Sequence, residues 1–219
     1  MKRNNKQLYE KIMRNVSKHV KRALLEYETT VTHNNGEFDE TSSDDYYEQP
    51  EVKYADIFYD GKYHPTDNET LCNLVRQLML EEDIMDLNCI DVSGITDFSY
   101  VFADNSGLPW IDIDEWDVSN GTNFEGMFMD CPYFNADLSA WDVSKGVNFA
   151  NMFFNCRSFD SDLRYWQPYY AEDTTRMFCD CESIDCDFRQ WNMRNLKEAD
   201  QMFENCRSLR VIPQWYKLY

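Results

Sequence analysis

Six cysteines in the second half of the chain are the first candidates for chemistry: Cys131, Cys156, Cys181 and Cys206 recur every 25 residues, with Cys179 and Cys186 beside the third. Thiolates gathered in this way could hold zinc, and sulfurs of neighbouring repeats could form disulfides in an oxidising compartment. Cysteine also packs as a small hydrophobe. One slot per repeat facing a core explains the spacing without metal or redox chemistry, and Cys179 and Cys186 simply replace Met129 and Ala136 of an earlier repeat. The thiols are therefore read as reduced and structural, with no cofactor expected. Carboxylates are the second candidates. Asp137, Asp162 and Asp187 form a column at the same period. Stacked like charges repel, so these side chains must cap turns by accepting backbone hydrogen bonds or share a cation such as calcium; turn caps are preferred. Paired acids could also hydrolyse a glycosidic bond, but a fixed period is more simply a matter of loop geometry. The three histidines, His19, His33 and His64, all lie outside the repeats. No Cys–His or Ser–His–Asp arrangement can then be assembled from the repeats alone, and the chain is not expected to be an enzyme.

The same period runs through the apolar residues. Met127-Phe128, Met152-Phe153, Met177-Phe178 and Met202-Phe203 keep step with Trp116, Trp141, Trp166 and Trp191, while Trp215 comes one residue early. Such a repeat means supersecondary units that bury their apolar faces only by stacking on one another. In the unit Thr122 to Ser144, Thr122 and Glu125 have capping-box spacing, and Phe124, Met127, Phe128 and Cys131 fall at helical intervals, which predicts a short helix. Leu138, Trp141 and Val143 predict a strand, bent near Ser139 and Ala140. Inward columns follow from the register: Phe134, Phe159, Ile184 and Leu209; Leu138, Leu163 and Phe188; Phe124, Phe149, Thr174 and Ala199. Asp91-Val92-Ser93, Phe98 and Phe102 repeat the pattern at an offset of 26, giving about five coils. Upstream, Thr66 and Glu69 again have capping-box spacing and Leu71, Leu74, Val75, Leu78 and Met79 share a face, so residues 67–82 are predicted to form a helix that caps the array, followed by a first strand over 86–92. Tyr216, Leu218 and Tyr219 are expected to serve as a lid at the other end.

Three segments differ in composition. In residues 1–27, Leu8, Ile12, Val16, Val20 and Leu24 recur every four residues among lysines and arginines, the pattern of a basic amphipathic helix that docks on a partner, packs on its own domain, or lies on a membrane or nucleic acid. Residues 28–51 are acidic and poor in aliphatics and read as a disordered linker. Residues 52–219 hold the cap and repeats, the latter over about 86–215. The net charge is −19, and residues 77–144 contain fifteen acids and no Lys or Arg. Phosphate backbones need cationic surface, so the repeats are not expected to bind nucleic acid; a basic or calcium-bridged protein partner suits them better. Arg164 and Arg189, like Arg157 and Arg207, make the later repeats less acidic, a gradient suited to orienting a partner. There is no apolar run of about 18 residues to span a membrane. The basic start lacks the apolar region of a secretory signal, so a cytoplasmic location is expected.

The phrases Phe134-Asn135-Ala136-Asp137-Leu138-Ser139-Ala140-Trp141-Asp142-Val143-Ser144, Asn123-Phe124 through Met127-Phe128, and Asp86-Leu87-Asn88-Cys89-Ile90-Asp91-Val92-Ser93 resemble the BspA-like leucine-rich-repeat family of Bacteroidota, mycoplasmas and their phages or mobile elements. The resemblance covers roughly Lys62 to Trp215. It implies an α/β fold, a short leucine-rich-repeat solenoid of about five strand-plus-short-helix coils with an N-terminal capping helix, in proteins usually exported or lipid-anchored and associated with adhesion or protein recognition. Neither a signal peptide nor a lipobox cysteine is expected near the start, a departure from that family's pattern. The start itself, Gln7-Leu8-Tyr9-Glu10-Lys11-Ile12-Met13-Arg14 followed by Val20-Lys21-Arg22-Ala23-Leu24, resembles leaders of small Bacteroidota phage proteins, which implies a virion-associated location. The expected function is non-enzymatic protein recognition: the repeat surface, including Asp137, Asp162, Asp187, Arg164 and Arg189, binds a partner protein, and the amino-terminal helix, through Leu8, Ile12, Val16 and Val20, docks or targets it. The alternatives are a structural or virion-assembly protein and, more weakly, a carboxylate-based hydrolase.

Overall fold

The structure, a computed structural model, describes residues 55–79, 86–105 and 111–218. The amphipathic helix and acidic linker expected within residues 1–51 lie outside the described residues. Among these, one α-helix forms, α1 (Asn68–Met79), with one antiparallel hairpin, β1 (Phe58–Tyr59) paired to β2 (Lys62–Tyr63), and three short 3-10 helices, Ala55–Ile57, Phe188–Gln190 and Gln214–Leu218. The expected α/β leucine-rich-repeat solenoid is thereby corrected: no series of strand-plus-short-helix coils forms. The repeats are instead layers of turns, tied to one another by single parallel bridges at Asp97–Asn123, Asn123–Asn148, Asn148–Asp173 and Asp173–Glu198.

The backbone hydrogen bonds explain why helical spacing did not produce helices. In an α-helix each N–H donates four residues back. Here alternate N–H groups leave the segment: Phe124, Gly126, Phe128 and Asp130 donate to the carbonyls of Asn148, Ala150, Met152 and Phe154 in the next layer, at 2.8–2.9 Å. The intervening groups close tight turns, Met127 onto Phe124 and Met129 onto Gly126. Two successive turns put Phe124, Met127, Phe128 and Cys131 on one side just as a helix would. The four-bond pattern repeats from Phe149 to Asn155 and from Thr174 to Asp180.

Bending the chain this way places two residues per layer in the left-handed region, four positions apart: Tyr100 and Asp104, Gly126 and Asp130, Asn151 and Asn155, Arg176 and Asp180, Gln201 and Asn205. The second is Asp or Asn in every layer, the non-glycine residues that best tolerate this conformation. At the first position Gly126 stands where Asn151, Arg176 and Gln201 follow, because the Tyr100 ring lies where a β-carbon would project.

The side chains sent inward form continuous columns. Phe102, Phe128, Phe153, Phe178 and Phe203 stack face to face at 5.2–5.8 Å, Phe98, Phe124 and Phe149 at 5.3–5.4 Å, and Trp166 lies 6.2 Å from Trp191. Offset-stacked aromatic pairs add to the burial of their area. Met127, Met152, Met177 and Met202 fill the same core, as do Leu138, Leu163 and Phe188.

The two ends of the stack are finished differently. At the first layer, α1 buries Leu71, Leu74, Val75 and Leu78. Its Asn68 amide donates to the Asp97 and Ser99 carbonyls at 3.3 and 2.9 Å, replacing the N–H groups of a preceding layer. The helix is capped by Asp67, which accepts the Thr70 N–H at 2.8 Å, and not by Thr66 as the capping-box spacing suggested. At the last layer Ala199, Gln201 and Asn205 make no backbone hydrogen bond through their N–H groups to a following layer among the described residues. Tyr216 sets its ring edge-on to Phe203 at 5.1 Å there.

Indole N–H groups cross between layers: Trp116 donates to Leu87 O, Trp166 to Leu138 O, Trp191 to Leu163 O and Trp215 to Phe188 O, at 2.9–3.0 Å. Trp141, 5% exposed, has no acceptor for its Nε1 among the described residues. It falls where the bridge spacing passes from 26 to 25 residues. Trp166→Phe is therefore expected to cost about 1 kcal/mol more than Trp141→Phe in denaturant unfolding; equal losses would show that the indole bonds contribute nothing. Gly126→Ala is expected to destabilise by about 1–3 kcal/mol through overpacking, and by clearly less in a Tyr100→Ala background. An undiminished cost in that background would assign the whole effect to backbone strain.

Candidate functional site

The thiols are turned into the stack and bonded to it. Cys131, Cys156, Cys181 and Cys206 donate to the carbonyls of Phe102, Phe128, Phe153 and Phe178, one layer back, at 2.9–3.0 Å. The carbonyls of Phe153 and Phe178 also accept the N–H of Cys156 and Cys181, so there the thiol occupies a second lone pair. Burial pushes the Cys131 thiol up to about 11 and Cys206 to about 12, and Cys156 and Cys181 well above the ordinary range. Cys179 and Cys186 are likewise raised by burial, to about 11 and about 12. Thiols held protonated are poor nucleophiles and poor metal ligands. All eight cysteines are unbridged, and no group of metal-binding side chains gathers among the described residues.

The aspartate column is a column of turns. Oδ1 of Asp137, Asp162 and Asp187 accepts the N–H two residues on, from Ser139, Arg164 and Arg189, at 2.9–3.2 Å. Asp162 and Asp187 also pair with the guanidinium of Arg164 and Arg189, at 2.8 and 2.6 Å. The arginine side-chain bonds hold Asp162 below the usual carboxylate range and take Asp187 to about 2, and the backbone N–H of Ser139 lowers Asp137.

Two further columns of this kind escaped the sequence reading. Asp91, Asp117 and Asp142 accept from Ser93, Ser119 and Ser144, and Asp97, Asn123, Asn148 and Asp173 from Ser99, Glu125, Ala150 and Thr175. The thrice-repeated Asp-Val-Ser at residues 91, 117 and 142 was the available signal for the first. Mixing amides among the acids relieves repulsion in the columns: Asn123 donates to Asp97 at 3.0 Å, and Asn155 to Asp130 and Asn205 to Asp180 at 2.8 Å.

Asp137, Asp160 and Asp162 line an open groove of about 440 Å³ with Asn135, Ser139 and Tyr165. A general acid needs a raised pKa, and two of these three carboxylates are lowered. Among the described residues the raised carboxyl is elsewhere. Asp114, bonded to and repelled by Asp112, lies above its ordinary value. The Asn88 amide donates to both, at 2.9 and 3.1 Å.

On the outer surface Arg164 and Arg189 remain largely exposed, with the Arg164 guanidinium 5.9 Å from the Tyr165 ring centre. Tyr133, Tyr165 and Tyr170 are 61%, 75% and 60% exposed. Leu8, Ile12, Val16 and Val20 lie outside the described residues. No helix among the described residues is long and apolar enough to cross a membrane.

The geometry defines a stacked-repeat protein whose interior thiols are hydrogen-bonded and whose carboxylates hold turns. Residues 96–215, more than half of the chain, match the family described as Mycoplasma protein of unknown function, DUF285, and the chain belongs to that family. No curated protein and no solved structure matches it.

The turn carboxylates give the fold an acid limit. The folded pKa of Asp137, Asp142, Asp162 and Asp187 lies below the ordinary 3.8. Their stabilisation is thus complete above that value and lost as pH falls through the lowered one, about 2 for Asp187. The melting temperature is expected to hold from pH 7 to about 5 and to fall between about 4 and 2. Asp187→Asn, which keeps an acceptor for the turn but cannot titrate, should flatten part of that fall. A wild-type melting temperature unchanged down to pH 2 would remove the carboxylates from the account.

Proposed function

We propose that the chain is a non-enzymatic recognition module: the repeat surface binds a partner protein, and residues 1–27 act as a docking or targeting element. One observation carries this reading. Several inward positions of the register keep their residue type from layer to layer, whereas several outward positions change it. Met127, Met152, Met177 and Met202 are all buried, while Ala140, Tyr165 and Gln190, or Lys145, Tyr170 and Asn195, are exposed side chains of unrelated chemistry. A rigid frame with variable exposed positions, tyrosine among them, is suited to protein recognition, because tyrosine offers a large contact area at low entropic cost. The relatedness of BspA-like repeat proteins, associated with adhesion and recognition, supports the same class, in the cytoplasm or, for a phage-encoded chain, on a virion.

The basic amphipathic stripe of Leu8, Ile12, Val16 and Val20 favours a second reading, in which that segment assembles the protein into a larger structure and the repeats are its outer decoration. The test uses the full chain as bait in host-cell lysate beside two variants, Tyr165→Ser/Tyr170→Ser and Leu8→Asp/Ile12→Asp. Recognition by the repeats is expected to show as a partner lost from the tyrosine variant and kept by the other. A partner lost only from the Leu8/Ile12 variant would overturn it in favour of assembly.

A further inference from the structure

The last layer opens into a groove of about 1060 Å³ between residues 189–194 and the closing segment 211–217. Its charge is opposite to that of the protein as a whole. In a chain of net charge −19, it is lined by Arg189, Arg194 and Lys217 and by no carboxylate. Arg189 is engaged with Asp187, whereas Arg194 bonds only the neutral Asn192 amide oxygen at 3.2 Å, and Lys217 has no ion-pair partner among the described residues. Its floor is apolar where earlier layers are covered. The register position buried at Ser161 and Cys186, each 7% exposed, is 46% exposed at Val211, and Ile212 beside it is 39% exposed. Trp215 completes that wall.

Resting on the recognition function above, we propose that this groove docks an acidic peptide segment of the partner protein. Aliphatic side chains of the segment lie on Val211, Ile212 and Trp215, and its carboxylates pair with Arg194 and Lys217. Charge complementarity selects this occupant. A second copy of the chain would bring predominantly acidic repeats whose aspartates already hold turns or arginines, and a basic segment would meet three cations. Apolar contact supplies affinity, and Arg194 and Lys217, which have no ion-pair partner among the described residues, supply sign and orientation.

Fluorescence anisotropy of the full chain with a labelled peptide alternating glutamate and leucine tests the proposal. The controls replace glutamate by lysine, or leucine by glycine. The glutamate–leucine peptide is expected to bind at least tenfold more tightly than either control and to weaken severalfold as salt rises. Arg194→Glu/Lys217→Glu should lower its affinity at least tenfold, Val211→Ser/Ile212→Ser should lower it as well, and Arg157→Glu, at an exposed arginine outside the groove, should leave it unchanged. Circular dichroism establishes that each variant is folded, and the Val211/Ile212 pair decides the matter if the charge reversal fails to fold. No preference for the glutamate–leucine peptide, or an equal loss with Arg157→Glu, would overturn the proposal. The recognition reading would then stand or fall separately, on whether partner capture depends on Tyr165 and Tyr170.

Discussion

Every layer of this protein is held by hydrogen bonds its own backbone cannot make alone. Because alternate N–H groups of Phe124 to Asp130 are donated to the next layer, each segment must expose them along one edge, and turns with two left-handed residues do this where a helix cannot. That constraint fixes the rest. It sets which side chains point inward, places Asp or Asn at positions 104, 130, 155, 180 and 205, and leaves the phenylalanine carbonyls with a lone pair for the cysteine of the following layer. Strand pairing over several residues would have satisfied the same groups, but the tight bends confine each bridge to a single residue per layer.

The residues that first suggested chemistry are thereby committed to structure. A buried thiol bonded to a carbonyl stabilises the protonated state, and desolvation acts in the same direction, so the period of the cysteines and their high pKa share one cause. For the carboxylates the sign is reversed. Asp137 and Asp162 are exposed and Asp187 is half-buried, and each accepts a backbone N–H that favours its charged form. Repulsion between neighbouring layers is offset locally, by Arg164 and Arg189 in that column and by the Asn123 amide in another. Surface ion pairs contribute little to stability, so the arginines matter more for the charge the outer face presents than for holding it together.

The sequence made the packing register legible and the hydrogen bonding illegible. A period of 25 identifies Met127, Phe128, Cys131 and Trp141 as equivalent to their counterparts one layer on, and hydrophobicity alone turns them inward. The choice between helix and paired turns depends on where N–H groups donate, and the i, i+3, i+4 spacing of Phe124, Met127 and Phe128 is common to both. The capping-box signals misled for a related reason. Asp67 and Asn123, one residue after Thr66 and Thr122, supply the Oδ1 that accepts a backbone N–H three and two residues on, whereas Thr122 donates its hydroxyl to Thr96 of the layer before. The exception in the tryptophan column could not have been foreseen, since Trp141 matches its neighbours in sequence and differs only in what its indole meets.

The polarity of the stack has two possible sources, and the geometry distinguishes them. On the phenylalanine side, four N–H groups per layer point forward, toward the carboxyl-terminal end. Other groups donate in the reverse direction: Val147 and Asn148 donate back to Thr122, Glu172 to Val147, Lys197 to Glu172 and Ser158 to Pro132, with the indole and thiol donors also pointing back. Opposed peptide dipoles largely cancel, as in ordinary sheets. The charge gradient along the stack must therefore come from side chains, from fifteen acids without a base over residues 77–144 to the arginines and lysines that follow. A gradient carried by side chains at outward positions can change without disturbing the hydrogen bonds that stack the layers, so such a frame keeps its fold while its surface charge varies.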